Sequence, residues 1–311
     1  MAQALTRASL PLLAGVARDI KLAHSIFALP FAVYGTFLAR HPGAIWSTFA
    51  GQLGLVVLCM VAARTWAMVV NRLADRRIDA QNPRTAGRFF AAGRAGLRDG
   101  LIVCTLAGVL FIVAACGFGL FYANWLPAML ATPVLAWIAL YSFTKRFTWA
   151  CHMFLGGALA ASPLAACIAV RPEYLLESPC VWWLAGMVAL WVAGFDVIYA
   201  LQDLEFDRGA GLFSIPARFG PGGAIWISRL LHTLAFACLL ASWRSDERLG
   251  VLTGVALLAV AALLAAEHVV LARRGRAGLE MAFFTLNGVV SCVLGLLGSL
   301  DTLIESPTSA V

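Results

Sequence analysis

Nine separate stretches of apolar residues run through this chain of 311 residues, and they constrain its fold more than any other feature. Each stretch has about the 20 residues that a helix needs to cross the hydrocarbon core of a bilayer. They lie at roughly 22–39, 49–70, 99–120, 122–143, 149–170, 179–201, 223–243, 249–272 and 281–300. Because a segment in lipid must satisfy its own backbone hydrogen bonds, helices are expected. The sequence predicts an all-α, polytopic membrane protein with about nine transmembrane helices in a single domain over residues 1–311.

The composition agrees with a chain that is mostly surrounded by lipid. Hydrophobic residues make up 61% and charged residues 13%, whereas globular domains average about 45–50% and about 25%. These values exclude a soluble enzyme, a disordered chain and a secreted disulfide scaffold. The eight cysteines form no CxxC pair and are interpreted as small hydrophobes. No nucleic-acid partner and no obligatory protein partner are expected, because the net charge of +7 is distributed among the predicted loops.

The basic residues of the loops predict an orientation in the membrane. With the N-terminus placed in the cytoplasm, 17 of the 23 Lys and Arg residues lie on the cytoplasmic side. Four of the other six lie on the opposite side, namely Arg40, Arg171, Arg244 and Arg248. The remaining two, Arg64 and Arg229, lie inside predicted spans. Cytoplasmic loops carry such an excess of Lys and Arg. The sequence therefore predicts an integral protein of a bacterial-type inner membrane, with its N-terminus and its polar loops in the cytoplasm.

Two clusters of acidic residues lie where the second and the sixth predicted spans end. Residues four apart on a helix differ by about 40° around the axis, and residues seven apart by about 20°. The residues that share a face are Asn71, Asp75 and Asp79 in the first cluster and Asp196, Tyr199, Asp203 and Asp207 in the second. Each of the two spans is therefore predicted to end in a stripe of oxygen ligands.

Such stripes suit a divalent cation that holds a phosphate group. Mg²⁺ takes one or two carboxylates and completes its shell with substrate phosphate. Arginines near the two clusters can contact phosphate directly; they are Arg72, Arg76, Arg84, Arg88 and Arg208. A single acid at a membrane border is usually just solvated, but two stripes on equivalent ends of two spans favour a function. A site of this kind fits a ligand with a diphosphate head and a hydrocarbon tail.

The two clusters resemble the Asp-rich motifs of the UbiA family of intramembrane prenyltransferases. The first motif is similar to the segment from Asn71, NRLADRRIDAQNPRTAGR, and the second to the segment from Asp196, DVIYALQDLEFDRGAGLFSIPARFG. Two further segments agree in the family's order, KLAHSIFALPFA from Lys21 and YSFTKRFTWACHMFLGGALAASPLA from Tyr141. The resemblance implies nine spans around a central cavity with a polar cap. It also implies the Mg²⁺-dependent transfer of a polyprenyl group from its diphosphate to a small aromatic acid.

The resemblance implies a role for each matching residue. The metal–diphosphate ligands would be Asn71, Asp75, Asp79, Asp203 and Asp207, with Asp196 close by. The diphosphate contacts would be Arg88 and Lys145, and Arg146 would bind the carboxylate of the acceptor. Arg72, Arg84 and Tyr199 are further candidates for substrate contacts. The catalytic candidates are Asp75, Asp196 and Asp203, and either Asp75 or Asp196 could take a proton from the acceptor.

One departure leaves the acceptor open. The common family motif has Asp directly after its Asn, whereas this chain has Arg72. The Asn-Arg form resembles the branch described as 4-hydroxybenzoate polyprenyltransferase-like, some of which is associated with menaquinone made by the futalosine route. The favoured acceptor is therefore 4-hydroxybenzoate for ubiquinone, with a dihydroxynaphthoate as the alternative. A secondary transporter is the rival class, but transporters usually place their charges near the midplane of the membrane.

Four other residues carry weaker expectations. His24 is a candidate for a position facing the cavity. His152 and His268 are interpreted as lone, structural histidines. Arg64 lies inside the second span, seven residues before Asn71, and is expected either to pair with an acid or to line the cavity, because a charge within the membrane is costly without a partner.

Overall fold

The computed structural model describes residues 15, 27–279 and 281–304. Within these ranges the chain consists of helices joined by turns and short loops, and it contains no β-strand. The prediction of an all-α membrane protein is therefore confirmed for the part of the chain that is described. His24 lies outside this part, as do the first residues of the predicted span 22–39.

The helices follow one another in the order that the apolar stretches predicted. They are α1 (Leu29–Ala39), α2 (Trp46–Ala74), α3 (Arg76–Gln81), α4 (Leu97–Tyr122), α5 (Leu126–Thr144), α6 (Cys151–Val170), α7 (Tyr174–Glu177), α8 (Cys180–Tyr199), α9 (Leu204–Gly209), α10 (Ile215–Arg244), α11 (Val251–Arg274) and α12 (Asn287–Ile304). A 3₁₀ turn, Ala200–Asp203, joins α8 to α9. A π-helical turn, Met281–Leu286, leads into α12.

Eight helices among the described residues are long and apolar enough to cross a membrane, one fewer than predicted. The difference lies in the first span, where α1 has only 11 residues, Leu29–Ala39. At 1.5 Å per residue α1 is about 16 Å long, roughly half the thickness of a hydrocarbon core. The eight long helices make the chain an integral, multi-pass membrane protein.

Helix α8 lies at the centre of the bundle, where it packs against α6 on one side and α10 on the other. Its residue Trp191 is fully buried and contacts Phe31 of α1, with ring centroids 5.5 Å apart. Gly156 of α6 packs directly on α8, because a Cβ atom at this position would lie 2.1 Å from the carbonyl oxygen of Ala189. On the other side of the bundle, α2 packs against α4. The ends of α2 and α8 lie at the same end of the bundle, where Asn82 and Arg84 in the loop after α3 contact Asp203 after α8.

Both acidic clusters lie where a long helix changes direction. Helix α2 ends at Ala74, and Asp75 (φ −92°, ψ 4°) separates it from α3. The backbone hydrogen bonds from Asp75 N to Asn71 O (2.9 Å) and from Asp79 N to Asp75 O (2.7 Å) continue the i, i+4 pattern across this break. The predicted polar loops 71–98 and 202–222 therefore contain short helices.

Helix α10 begins earlier than the predicted span 223–243. Its first turn starts at Ile215, and Gly220 then interrupts the helix with a positive φ of 72°. A glycine tolerates this conformation because it has no Cβ, and Pro221 begins the next helical segment without needing an amide donor. The Gly-Pro pair is thus a kink inside α10 and not the end of a loop. The kink places the turn Ile215–Phe219 beside the polar end of the bundle.

The opposite end of the bundle has its own polar contacts. Arg248, in the loop between α10 and α11, binds Asp246 (2.7 Å) and the carbonyl oxygen of Leu38 (2.8 Å). Tyr174, the first residue of α7, donates a hydrogen bond to Asp246. Burial alone would raise the pKa of Asp246, but the hydrogen bonds from Arg248 and Tyr174 outweigh burial and lower it. This network joins the ends of α1, α7 and α10.

Candidate active site

A polar cavity of about 510 Å³ lies at the end of the bundle where the acidic clusters meet. Its walls come from the end of α2, α3 and the loop after it, the end of α5, the start of α6, and the segment from α8 to α9. The acids in its lining are Asp75, Asp79, Asp196, Asp203 and Asp207. The cations are Arg64, Arg72, Arg84, Arg88 and Lys145. The predicted convergence of the two acidic clusters is confirmed.

Asp75 is held by two cations from the loop after α5. Lys145 Nζ lies 2.9 Å from its Oδ2, and Arg146 donates to its Oδ1 at 3.2 Å. Asn71, one turn earlier on α2, donates a weak hydrogen bond to Asp75 Oδ2 at 3.4 Å. The Asp75 side chain is only 3% exposed, so these partners compensate a charge that is almost completely removed from water.

Asp79, which is buried, forms an ion pair with the partly exposed Arg88 within the first cluster. One guanidinium nitrogen of Arg88 lies 2.8 Å from each carboxylate oxygen of Asp79. Thr85 fixes the loop between them, because its hydroxyl donates to the carbonyl oxygen of Asp79 at 3.0 Å. This arrangement places one group suited to a metal beside one group suited to a phosphate.

Asp203 connects the second cluster to the loop of the first. It accepts hydrogen bonds from Arg84 Nε (2.8 Å), from a second Arg84 nitrogen and from Asn82 Nδ2 (2.8 Å). Arg84 also donates to the hydroxyl of Tyr199 at 3.2 Å. Burial opposes the charge of Arg84, but the hydrogen bonds and charge of Asp203 outweigh this effect and raise the pKa of the guanidinium.

Asp196 is paired with His152, which corrects the expectation that His152 is a lone residue. Asp196 Oδ2 lies 2.7 Å from His152 Nδ1. The backbone N–H of Ile215, in the first turn of α10, donates to His152 Nε2 at 3.3 Å. Both Asp196 and His152 line the polar cavity. His268 is not lone either, because its Nε2 lies 3.1 Å from Nδ1 of His232.

Of three other predicted site residues, Arg72 and Asp207 line the cavity and Arg146 does not. Arg72 lines it, is 7% exposed and donates to Asn71 Oδ1 at 2.9 Å. Asp207 lines it from α9. Arg146 is not among the lining residues. Its guanidinium instead donates to the carbonyl oxygen of Ala74 at 2.6 Å, at the end of α2, and to Asp75.

Asn82 and His152 are lining residues that contact predicted acids but were missed by the sequence interpretation. Asn82 lies seven residues after Asp75, so the same spacing rule could have placed it on the shared face. His152 has no such signal, because its partner Asp196 is 44 residues away on another helix.

A second cavity, of about 240 Å³, continues from the polar one into the bundle. Its walls are almost entirely apolar and come mainly from α2, α4, α5 and α6. Four residues line both cavities and mark where they meet: Arg64, Tyr141, Leu155 and Leu159. Arg64 is the charged residue at this junction, and its Nε is buried without a hydrogen-bond partner among residues 27–279 and 281–304.

The carboxylates of the polar cavity fit Mg²⁺ that shares its coordination with a substrate. No group of three His, Cys, Asp or Glu side chains in the described ranges lies close enough to form a complete metal cage. Mg²⁺ does not need one, because it is usually bound by one or two carboxylates together with phosphate oxygens. Pairs of carboxylates next to Arg and Lys supply both kinds of partner.

Comparisons with known proteins agree with this geometry. The family model described as the UbiA prenyltransferase family matches residues 28–289. A 4-hydroxybenzoate octaprenyltransferase from Shewanella sediminis (strain HAW-EB3) is 30% identical over 237 residues, which are 76% of this chain and 79% of that protein. A protein of the same name from Shewanella sp. (strain W3-18-1) is 29% identical over 234 residues, or 75% of this chain and 78% of that protein.

Solved structures show the same fold. A UbiA homolog from Aeropyrum pernix K1, in its apo form, has a TM-score of 0.78 and 31% identity, and the match covers 89% of this chain and 98% of that one. A UbiA homolog from Archaeoglobus fulgidus bound to GPP and Mg²⁺ has a TM-score of 0.70 over 93% of this chain and 100% of that one. Its identity is only 16%, so it supports the fold alone.

The bundle, the paired cavities and these matches define an intramembrane prenyltransferase. The chain belongs to the UbiA prenyltransferase family. The alternative of an ion-coupled transporter is not favoured, because both acidic clusters line one cavity at an end of the bundle and the matched relatives are transferases.

Proposed function

We propose that this enzyme transfers a polyprenyl group from a polyprenyl diphosphate to 4-hydroxybenzoate, with Mg²⁺, as a step of ubiquinone-type quinone synthesis. The observation that carries the proposal is the junction of a polar and an apolar cavity, with both acidic clusters in the polar one. The acceptor is the one named for the relatives from Shewanella. The chain is proposed to form one transmembrane domain over residues 1–311.

The diphosphate head would bind in the polar cavity. Arg84, Arg88 and Lys145 each form an ion pair with an acid of the lining, at Asp203, Asp79 and Asp75 respectively. When the substrate binds, these cations would turn to the phosphate oxygens, and guanidinium groups can do so with two parallel hydrogen bonds. Arg72 is a further contact on the same wall.

The carboxylates released from those pairs would hold the metal. Asp75, Asp79 and Asn71 form the set on one side, and Asp203 and Asp207 the set on the other. Bound Mg²⁺ would supply positive charge that stabilises the departing diphosphate. Since five acids and five cations line the cavity, it is formally neutral, and a diphosphate together with Mg²⁺ would add charges that largely cancel.

The hydrocarbon tail would lie in the apolar cavity, where burial of its methylene groups provides the binding energy. Arg64 lies where the two cavities meet and has an unsatisfied Nε. The carboxylate of an aromatic acid would satisfy this buried cation and would place the ring between the head and the tail of the other substrate. Arg146 would act indirectly, by holding Asp75 against the end of α2.

In the proposed reaction, the allylic C–O bond of the polyprenyl diphosphate would ionise first. Arg84, Arg88 and Lys145 would stabilise the charge that develops on the diphosphate. The apolar wall of the second cavity would keep water from the carbocation. The electron-rich ring of the acceptor would then form the new C–C bond at the first carbon of the prenyl group.

The polar cavity is proposed to face the cytoplasm, in a bacterial-type inner membrane. The loops at the cavity end, which include 82–96 and 145–149, belong to the side that holds 17 of the 23 Lys and Arg residues. An excess of basic residues marks cytoplasmic loops.

The experiment is a transfer assay with the purified protein in lipid. It combines a labelled polyprenyl diphosphate, Mg²⁺ and either 4-hydroxybenzoate or a dihydroxynaphthoate. The expected result is a prenylated 4-hydroxybenzoate, no product after EDTA, and recovery when Mg²⁺ is restored. Product with the dihydroxynaphthoate alone would overturn the proposed acceptor. No product with either acid would overturn the proposed reaction.

A further inference from the structure

We infer that Asp196, held in place by His152, is the carboxylate that removes the ring proton of the acceptor. This inference rests on the proposed function and decides between the two bases, Asp75 and Asp196, that the sequence left open. Asp196 would be the catalytic base. His152 would be a positioning residue that does not itself take the proton.

The hydrogen bonds of His152 determine which nitrogen carries its proton. Because the backbone N–H of Ile215 donates to Nε2, that nitrogen must present a lone pair. Nδ1 therefore carries a proton, which it donates to Asp196 Oδ2 at 2.7 Å. The ring is 2% exposed, so it is fixed from both sides with little freedom to turn. His152 thus fixes the orientation of the Asp196 carboxylate at the cavity wall.

Asp75 and Asp79 are less free than Asp196 to accept a proton. Asp75 lies against Lys145 and Arg146, and Asp79 lies against Arg88. In the proposed complex both carboxylates would hold Mg²⁺, so their oxygens would not be free to take a proton. Asp196 is paired with the imidazole of His152 and not with a Lys or Arg that the diphosphate would contact, and its side chain is 23% exposed toward the cavity.

Asp203 and Asp207 also lack the features of Asp196. Asp203 accepts three hydrogen bonds, from Arg84 and Asn82, which stabilise its negative charge. Asp207 lies next to Asp203 on the segment assigned to the metal. Asp196, seven residues earlier, lies deeper along α8, and the neighbouring lining residues Val192 and Phe195 are apolar. This position is nearer to where the acceptor ring would lie.

The proposed step conserves atoms and electrons. The C–O bond of the prenyl diphosphate breaks, and its electron pair leaves with the diphosphate. A π pair of the acceptor ring forms the bond to the prenyl carbon, which leaves that ring carbon with both a hydrogen and the prenyl group. Asp196 takes this hydrogen as a proton, the C–H pair restores the aromatic ring, and the proton then passes to water.

Two substitutions of His152 separate its two hydrogen bonds. His152→Asn places an amide N–H where Nδ1 was and can still donate to Asp196. His152→Gln places its amide where Nε2 was and can accept from Ile215, but it cannot hold Asp196. We expect kcat to stay within about threefold of the wild type for His152→Asn and to fall about ten- to a hundredfold for His152→Gln. His41→Asn, at the opposite end of the bundle, is the control and should leave kcat unchanged.

A ring isotope effect distinguishes positioning from a loss of structure. The acceptor is 4-hydroxybenzoate with deuterium on the two ring carbons next to the hydroxyl, and kcat is compared with the undeuterated acid. Wild type should give a ratio near unity, because ionisation limits the rate. His152→Gln and Asp196→Asn should each give a ratio of about 2 or more, because proton removal becomes slow.

The outcomes separate this inference from the proposed function. If wild type forms product but His152→Gln and Asp196→Asn both show no ring isotope effect, Asp196 is not the base and the inference is wrong. A kcat for His152→Asn as low as that of His152→Gln would also contradict it. If wild type forms no prenylated acid at all, the proposed function has failed first. Should His152→Gln not be stable enough to purify, the isotope ratio of Asp196→Asn decides.

Discussion

Arg84 donates a hydrogen bond from its Nε to Asp203 Oδ1 at 2.8 Å and so joins the two acidic clusters across 119 residues of sequence. The contact brings a group suited to phosphate and a group suited to metal to the same point of the cavity wall. It also ties the loop after α3 to the segment after α8. Substrate binding would have to separate the two side chains, so both affect the affinity for the diphosphate.

Replacing Arg84 with Gln should weaken binding of the polyprenyl diphosphate. The variant loses a cation that the diphosphate would contact and leaves Asp203 without its main partner. We expect KM for the diphosphate to rise about tenfold or more, with a smaller change in KM for the acceptor. Arg94→Gln is the matched control, because Arg94 belongs to the same loop but does not line the cavity. Equal KM values for Arg84→Gln and the control would contradict this role.

Replacing Asp75 or Asp203 with Ala should lower kcat by about a hundredfold or more, because each removes an oxygen ligand for Mg²⁺. Expression in membranes should remain normal, since both residues lie at the end of the bundle. Glu205→Gln serves as the control for a lost acid in the segment of Asp203, because Glu205 is exposed and does not line the cavity. The Mg²⁺ concentration that gives half of the maximal rate should be higher in the two Asp variants than in the wild type. Near-normal activity in either would overturn the metal assignment.

Replacing Arg64 with Leu should raise KM for 4-hydroxybenzoate about tenfold or more and leave KM for the polyprenyl diphosphate little changed. The reason is that Leu cannot bind the carboxylate of the acceptor. The variant should also discriminate less between 4-hydroxybenzoate and its amide than the wild type does. Arg229→Leu is the control, because it removes another arginine of the spans that does not line either cavity. Unchanged discrimination would show that Arg64 does not contact the acceptor.

Replacing Ala131 with Phe should shorten the prenyl chain that the enzyme accepts. Ala131 is 1% exposed and lines the apolar cavity, so a larger side chain would fill space that the tail needs. We expect activity with a long polyprenyl diphosphate to fall more than activity with geranyl diphosphate. Ala136→Phe, on the exposed face of the same helix, should change neither. A thermal unfolding measurement excludes overpacking as the cause. An equal loss with both chain lengths would argue against this location for the tail.

Replacing Asp246 with Asn should destabilise the protein by about 1–3 kcal/mol at neutral pH, because Arg248 and Tyr174 lose a charged hydrogen-bond partner. The pKa of Asp246 is lowered in the folded protein, so its contribution is present above the pKa of the unfolded state. That contribution is lost as pH falls through the lowered pKa. The difference in unfolding temperature between wild type and the variant should therefore be largest near pH 7 and should shrink in acid. A difference that stays constant with pH would contradict this account.

The sequence predicted the architecture well where the physics is local. Runs of apolar residues predict helices in lipid, and eight long ones are found among the described residues. Spacing of four and seven residues predicted that Asp75, Asp79, Asp203 and Asp207 would line one cavity, and this placement is confirmed. Their roles in binding metal and diphosphate stay predictions.

The details that the sequence did not reveal depend on contacts between distant segments or on the backbone. The pairing of His152 with Asp196 requires knowing how α6 and α8 face each other, which no spacing within one helix reveals. The early start of α10 depends on Gly220, which lets the chain bend and continue as a helix. Arg146, which was expected at the acceptor, donates to the carbonyl oxygen of Ala74 at the end of α2 and to Asp75, and spacing within its own segment does not predict these contacts.

The meeting of the two cavities at Arg64, Tyr141, Leu155 and Leu159 has a consequence for the products of the proposed reaction. Cleavage at that boundary divides one amphiphile into a part that dissolves in water and a part that dissolves in lipid. The inorganic product can leave through the open, charged mouth, while the lengthened aromatic acid keeps its tail among hydrocarbon. Transfer of the prenyl group would thus by itself leave the diphosphate in water and the prenylated acid in the membrane.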